Sequence, residues 1–327
     1  MMAQDHNQSR ENAYVCRRMP AEIEAALKER FVVKLNESDE LTDSATIIER
    51  AKGASVLLVT ATERIDGNVL RALSPTLKTV ATLSVGYDHI DLATAGELGI
   101  EVLHTPDVLS DACAEVALML LLNAARRGYE ADRMVRSGQW PGWAPTQLLG
   151  KGLVGKRLGI FGMGRIGRAI ATRARAFGMQ IHYHNRSQLG PEDAEGAIYH
   201  ATLDGLCRHS DMLLVAAPGS PQLKGALNQV HIRALPRGAV VANISRGDIV
   251  DDDALIEALN NGHVFAAGLD VFANEPNVDP RYRALDNVFL SPHIGSATEE
   301  TRNAMGWLLI DGIAALRRGE RPANLLS

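Results

Sequence analysis

The chain has 327 residues, 46% apolar and 22% charged, with a formal net charge of −5. That length suits two domains better than one core. The acidic balance and the 5% aromatic content leave no basic footprint for nucleic acid or an anionic membrane, and no base-stacking surface. Cys16, Cys113 and Cys207 are odd in number and far apart, which excludes a disulfide framework and a metal knuckle and points to a reducing, cytoplasmic setting. The first residues lack a signal peptide's apolar core, and the longest near-apolar run, residues 116–122, is too short to span a bilayer.

In chain order, residues 1–11 read as a frayed polar arm. AEIEAALKER has helical spacing, and FVVKL, SVLLVT, LKTVATLS and IEVLHT read as strands. Residues 111–137 form one long helical pattern ended by Gly138, followed by QWPGWAPTQLLGKGLVGK, an irregular stretch rich in Gly, Pro and Trp. A second series of strands follows: RLGIFG, QIHYHN, MLLVAA, AVVANIS, FAAGLD and NVFLSP, most separated by helical patterns. Alternation of this kind implies parallel sheets. The last helix, TEETRNAMGWLLIDGIAALRRGE, begins with a Ser/Thr-x-x-Glu type of start and is expected to pack back on the first domain.

The sharpest local signal is Gly162-Met163-Gly164-Arg165-Ile166-Gly167. It ends an apolar strand and opens a helix, the context a dinucleotide cradle requires. Gly162 would permit the tight turn, Gly164 the close approach of a pyrophosphate, and Gly167 the packing of helix on sheet. The bland alternative is a glycine-rich turn with no ligand. About 20 residues on, where an acid would hold the ribose 2′-hydroxyl of NAD, stand Asn185, Arg186 and Ser187. Asn185 removes a repelling charge, Arg186 suits a 2′-phosphate and Ser187 can donate to it, so NADP(H) is preferred. NAD(H) is the alternative, with Arg186 a solvated loop residue.

Arg246, Glu275 and His293 each follow a predicted strand of the second series, so all three can meet at the carboxyl edge of one sheet. An imidazole titrates near working pH and can deliver a proton. A carboxylate beside it stabilises the imidazolium and orients the ring. A guanidinium grips a carboxylate and polarises a carbonyl. With a nicotinamide as hydride donor, such a set suits reduction of a 2-oxo acid. Taken singly, each has a plainer reading as a surface, turn or loop residue.

These pieces fall in one order with Ser84-Val-Gly-Tyr-Asp-His-Ile-Asp91, His104-Thr-Pro-Asp-Val-Leu-Ser-Asp111, Asn243-Ile-Ser-Arg-Gly-Asp248, Gly268-Leu-Asp-Val-Phe272, Asn274-Glu-Pro276 and Ser291-Pro-His-Ile-Gly-Ser296. The chain resembles the D-2-hydroxyacid dehydrogenase family, within it the glyoxylate/hydroxypyruvate reductase branch, from about residue 56 to 321. The resemblance implies two Rossmann-like, flavodoxin-like α/β domains with parallel sheets. Residues 1–104 plus 297–327 would form the substrate domain, residues 105–296 the dinucleotide-binding domain, and the active site would lie in the interdomain cleft. It implies Arg246, Glu275 and His293 as the catalytic set, with Val85 and Gly86 presenting N–H groups to the substrate carboxylate. Ala217, Pro218, Ile244, Ser245, Arg246, Asp270, His293, Gly295 and Ser296 would lie along the cofactor. Gly219 and Ser220 depart from the family's usual Leu-Thr. The excursion with Trp140 and Trp143 resembles the reductase branch and implies a homodimer through the coenzyme domains, Trp140 being the choice to reach the partner's site. Other substrates on the same fold, and a non-catalytic NAD(H)-sensing corepressor, remain the alternatives; Glu275 argues against a formate enzyme.

Overall fold

The computed structural model describes residues 10–326. The chain divides into two compact units, Met1–Leu109 with Ala297–Ser327, and Ser110–Ser296. In the first unit run β1 (Asn12–Val15), α1 (Ala21–Arg30), β2 (Val32–Leu35), α2 (Ser44–Arg50), β3 (Val56–Val59), α3 (Gly67–Leu73), β4 (Thr79–Thr82), α4 (Leu92–Glu97) and β5 (Glu101–Leu103). The strands form one parallel sheet in the order β2-β1-β3-β4-β5. β3 and β4 are buried at every position, because helices cover both faces.

The second unit opens with α5 (Ser110–Arg126) and α6 (Gly128–Arg136). The single helix expected over 111–137 is two helices. Arg127 takes a left-handed conformation (φ 56°), and a Cβ on Gly128 would run into the Asn123 side chain. Then follow β6 (Arg157–Phe161), α7 (Arg165–Ala176), β7 (Gln180–His184), α8 (Pro191–Ala194), β8 (Ile198–Tyr199), α9 (Leu203–Arg208), β9 (Met212–Val215), α10 (Gln229–Ala234), β10 (Ala239–Asn243), α11 (Asp252–Asn260), β11 (Val264–Leu269), α12 (Pro280–Arg283) and β12 (Val288–Leu290). The seven strands are all parallel, in the order β12-β11-β10-β9-β6-β7-β8. The strand order reverses between β6 and β9, the switch point at which open α/β sheets bind ligands.

Each face of this sheet carries its own apolar cluster, one built around Leu213, Val241 and Leu255 and the other around Leu120, Ile160 and Ile170. On α7 the buried residues Gly167, Ile170, Ala171 and Ala174 recur at helical spacing, and the helix packs on α5.

The final helix, α13 (Glu299–Arg317), belongs to the first unit and packs on α1 and β4. Gly306 permits this, since a Cβ there would meet Ile23 at 2.5 Å. Its N-cap is Thr298, which accepts from the Thr301 N–H, so a threonine rather than a glutamate stands at the third position. The arm expected over 1–11 is not loose at its described end. Glu11 pairs with Arg317 at 2.5 Å and accepts from the Ser55 hydroxyl, and β1 begins at the next residue; residues 1–9 lie outside the described part. Among the described residues no helix is long and apolar enough to cross a membrane, and no His, Cys, Asp and Glu side chains group to hold a metal ion.

Candidate active site

Every strand of the second sheet except short β8 hands one element of the site to its carboxyl edge. Read across the sheet, β12 is followed by His293, β11 by Asp270, β10 by Arg246, β9 by Ala217, β6 by the glycine-rich loop and β7 by Asn185. One end of this edge therefore carries the acid-base and cationic side chains, and the other the phosphate-type cradle.

The cradle has the shape a dinucleotide needs. Gly162 sits at φ 102° with its missing Cβ directed into the Ala217 backbone, and Gly167 packs on the Gly162 carbonyl. Around Gly164, by contrast, an added Cβ would meet nothing within 4 Å. Gly164 is the N-cap of α7, and no side chain caps that helix. Open space in front of uncapped N–H groups at the positive end of a helix is a site for a pyrophosphate. The residues present fit an NAD(P) dinucleotide. Ala217 is held by a hydrogen bond from the Ser245 hydroxyl to its carbonyl, and the Ile244 N–H bonds to Val215.

Asn185 has a structural task that its sequence position did not reveal. Its Oδ1 accepts from the Met163 N–H at 2.6 Å, and its Nδ2 donates to the Met163 carbonyl at 3.3 Å. The strand-end side chain is thus occupied with the glycine-rich loop. Arg186 and Ser187 come next, both exposed, and Arg186 has no acidic partner among the described residues. Tyr199 donates its hydroxyl to the Asn185 carbonyl, which braces this corner from β8.

At the other end His293 Nδ1 lies 2.7 Å from Glu275 Oε2. The Phe272 N–H donates to the second carboxylate oxygen of Glu275 at 2.8 Å. Burial works to raise the Glu275 pKa, yet the His293 hydrogen bond and charge, the Phe272 N–H and the nearby Arg246 charge together hold it below the ordinary carboxylate value. Glu275 therefore stays ionised beside the imidazole. Arg246 is half-buried and braced by its own Nη1–H to the Ser245 carbonyl at 2.9 Å. Gly247 lets this turn press on the Phe272 backbone, where any Cβ would overlap. The structure thus brings Arg246, Glu275 and His293 to one end of a single sheet edge.

Asp270 is 1% exposed, and three donors occupy its carboxylate: Ser291 Oγ at 2.6 Å and the N–H groups of Ile294 and Gly295 at 2.9 Å each. Val85 and Gly86 belong to the first unit, in the loop after β4. There the Val85 carbonyl lies 3.1 Å from His104 Nδ1, and the Gly86 carbonyl accepts from the Ser84 hydroxyl at 2.7 Å. Trp140 hydrogen-bonds Gln147 at 3.2 Å, whereas Trp143 is 83% exposed. All three cysteines are buried; burial pushes Cys207 up to about 12 and Cys16 higher still, so neither is a thiolate nucleophile.

The chain is similar to known proteins along nearly its whole length. Residues 118–295 match the D-isomer specific 2-hydroxyacid dehydrogenase, NAD binding domain, family. A glyoxylate reductase of Thermococcus onnurineus is 38% identical over 317 residues, 96% of this chain and 95% of that protein. A solved structure from Polaromonas sp., assigned to the D-isomer specific 2-hydroxyacid dehydrogenases, superposes with a TM-score of 0.93 at 66% identity, covering 97% of this chain and all of that one. An NADPH-dependent glyoxylate/hydroxypyruvate reductase from Sinorhizobium meliloti, solved with NADP and malonate, gives a TM-score of 0.87 at 36% identity, covering 98% and 97% of the two chains. The chain belongs to the D-isomer specific 2-hydroxyacid dehydrogenase family and is an NAD(P)-dependent oxidoreductase of that family.

Proposed function

We propose that the enzyme reduces a small 2-oxo acid, glyoxylate or hydroxypyruvate, to the 2-hydroxy acid, with NADP(H) as its preferred cofactor. The observation that carries the reading is the Glu275–His293 pair at 2.7 Å, at one end of the strand edge whose other end is the Gly162–Gly167 cradle. A reduced nicotinamide, when bound, supplies the hydride to C2 of the substrate. His293 has Nδ1 committed to Glu275, which leaves Nε2 to deliver the proton to the carbonyl oxygen as the alkoxide forms. Glu275 holds the ring and stabilises the imidazolium before transfer. Arg246 grips the substrate carboxylate and polarises the carbonyl, with the Val85 and Gly86 N–H groups as further donors to the carboxylate.

The cofactor preference rests on Asn185, Arg186 and Ser187. With the Asn185 amide bound to Met163, no carboxylate stands at the strand end to accept a ribose 2′-hydroxyl or repel a 2′-phosphate. Arg186 offers an exposed fork to that phosphate. The Sinorhizobium relative, solved with NADP, supports the same reading. We also assign a homodimer through the second unit. Val135, Trp140, Trp143, Leu149 and Val154 lie close in sequence and are all exposed, an apolar surface of the kind that marks an interface. Trp140 is the side chain assigned to reach the partner's site.

Deuteride transfer tests the reaction itself. With NADPH dideuterated at C4 of the nicotinamide and glyoxylate as substrate, the product is glycolate carrying one deuterium at C2, and NADP+ keeps the other. Absence of labelled glycolate, from protein that binds NADPH, would remove the 2-oxo acid reading and bring the non-catalytic alternative forward.

A further inference from the structure

Arg246 and His293 sit on turns that follow β10 and β12, the two neighbours of β11, and each turn is tied down by a buried polar side chain. After β10, Asn243 is 1% exposed. Its Oδ1 accepts from the Ser245 N–H at 3.0 Å, and its Nδ2 donates to the Arg246 carbonyl at 2.9 Å, so one amide closes the turn from both sides. After β12, Ser291 is 5% exposed and donates its hydroxyl to Asp270 Oδ1 at 2.6 Å. Asp270 in turn accepts from Ile294 and Gly295, and its carbonyl accepts from the His293 N–H at 2.9 Å. His293 itself is left-handed, at φ 53°. That conformation is unfavourable for a residue with a Cβ and persists where the surroundings fix it. The two turns are also joined, since the Asp270 N–H donates to the Asn243 carbonyl at 3.0 Å.

We propose that Asn243 and Ser291 are positioning residues of the hydride-transfer site, Asn243 fixing Arg246 and Ser291, through Asp270, fixing His293 against Glu275. The proposal rests on the catalytic roles assigned above. Its physical content is geometric. A guanidinium or imidazole displaced by about 1 Å loses on the order of 100-fold in rate even when the fold survives. The two clasps also act on different quantities. The Arg246 turn governs grip on the carboxylate as well as polarisation of the carbonyl, so its loosening raises KM, which loosening of the His293 turn leaves in place. The His293 turn governs proton delivery, so its loosening lowers kcat.

The test compares Ser291→Ala, Ser291→Thr, Asn243→Ser and Asn243→Asp in the full-length protein, with glyoxylate as substrate. Ser291→Ala is expected to lower kcat about 10- to 100-fold with little change in KM, and Ser291→Thr, which keeps the hydroxyl, to recover most of it. Both Asn243 variants are expected to raise the glyoxylate KM about 10-fold or more, because neither can donate to the Arg246 carbonyl as the amide does. Variants that lose only thermal stability, with the kcat and KM of the parent, would overturn the proposal. Should the parent itself fail to reduce 2-oxo acids, the function reading falls alone. Imidazole NMR then decides here: an unchanged His293 ring resonance in Ser291→Ala would contradict the positioning role, and a displaced resonance that Ser291→Thr restores would uphold it.

Discussion

His293 Nδ1 stands 2.7 Å from Glu275 Oε2, and that carboxylate takes a second hydrogen bond from the Phe272 N–H. The pair is built from two different turns, and the carboxylate's pKa is held down although burial opposes this. Glu275→Gln keeps the shape and removes the charge. The variant is expected to lose about 10- to 1,000-fold in kcat, since the imidazolium loses its counter-charge while the ring keeps a hydrogen-bond partner. Steady-state rates in the reductive direction, beside a thermal melt, check this.

Gly164 separates cofactor binding from folding. A Cβ there meets nothing in the protein, so Gly164→Val is expected to fold with a melting temperature near the parent's while NADPH affinity falls about 100-fold or more. Gly162→Ala makes the contrast. At φ 102°, with the Ala217 backbone behind it, that substitution should lower stability and binding together. Titration of NADPH fluorescence alongside thermal melts separates the two.

A stack of histidines lies beneath the Asn185–Ser187 corner. His182 Nδ1 is 2.9 Å from His200 Nε2, and the His200 and His209 rings are 4.9 Å apart. His182 is 5% exposed; burial, then the neighbouring His200 charge, push it down to about 4 from its ordinary 6.5, and His200 moves the same way. The fold therefore holds these rings neutral, and the unfolded chain binds the extra protons. Stability is fully present above the unfolded value and falls as pH drops from about 6.5 toward 4, by up to about 3 kcal/mol for His182 alone. Carboxylates with lowered values, Glu275 among them, act from about pH 5 downward, so the slope above pH 5 reports the histidines, with His231 adding to it in the same direction. Denaturant unfolding from pH 8 to pH 5 should show this slope, and His182→Phe should reduce it, leaving the part due to His200 and His231.

The exposed apolar set from Val135 to Val154 predicts a dimer in analytical ultracentrifugation. Trp143→Glu, the most exposed of the tryptophans, is expected to weaken that dimer while leaving the second unit folded, as read by near-parental circular dichroism. A parent that sediments as a monomer at all concentrations would remove the dimer.

Most of the fold was legible because periodicity is local. Fully buried parallel strands such as VLLV and MLLV declare themselves as short apolar runs between turn residues. The glycine cradle and the three strand-end residues were legible for the same reason, being fixed relative to strands already visible. The break in the long helix was not, since Arg127-Gly128 looks like an ordinary pair until the left-handed turn and the close Asn123 contact are seen. Nor were β1 and the two-residue β8, which are too short for a pattern to develop. The tasks of Asn185, Asn243 and Ser291 depend on which backbone groups come within reach after folding, and no spacing encodes that. A polar residue closing an apolar strand, as Asn243 does, is the one hint the sequence offers.

The central claim is best tested by the specificity ratio of kcat/KM for NADPH over NADH, with glyoxylate and hydroxypyruvate, in the parent and in Arg186→Ala. Turnover of both acids is expected, with a ratio well above one in the parent and a fall of about 10- to 100-fold in Arg186→Ala caused by loss on the NADPH side alone. Turnover that favours NADH, or a ratio indifferent to Arg186, would contradict it.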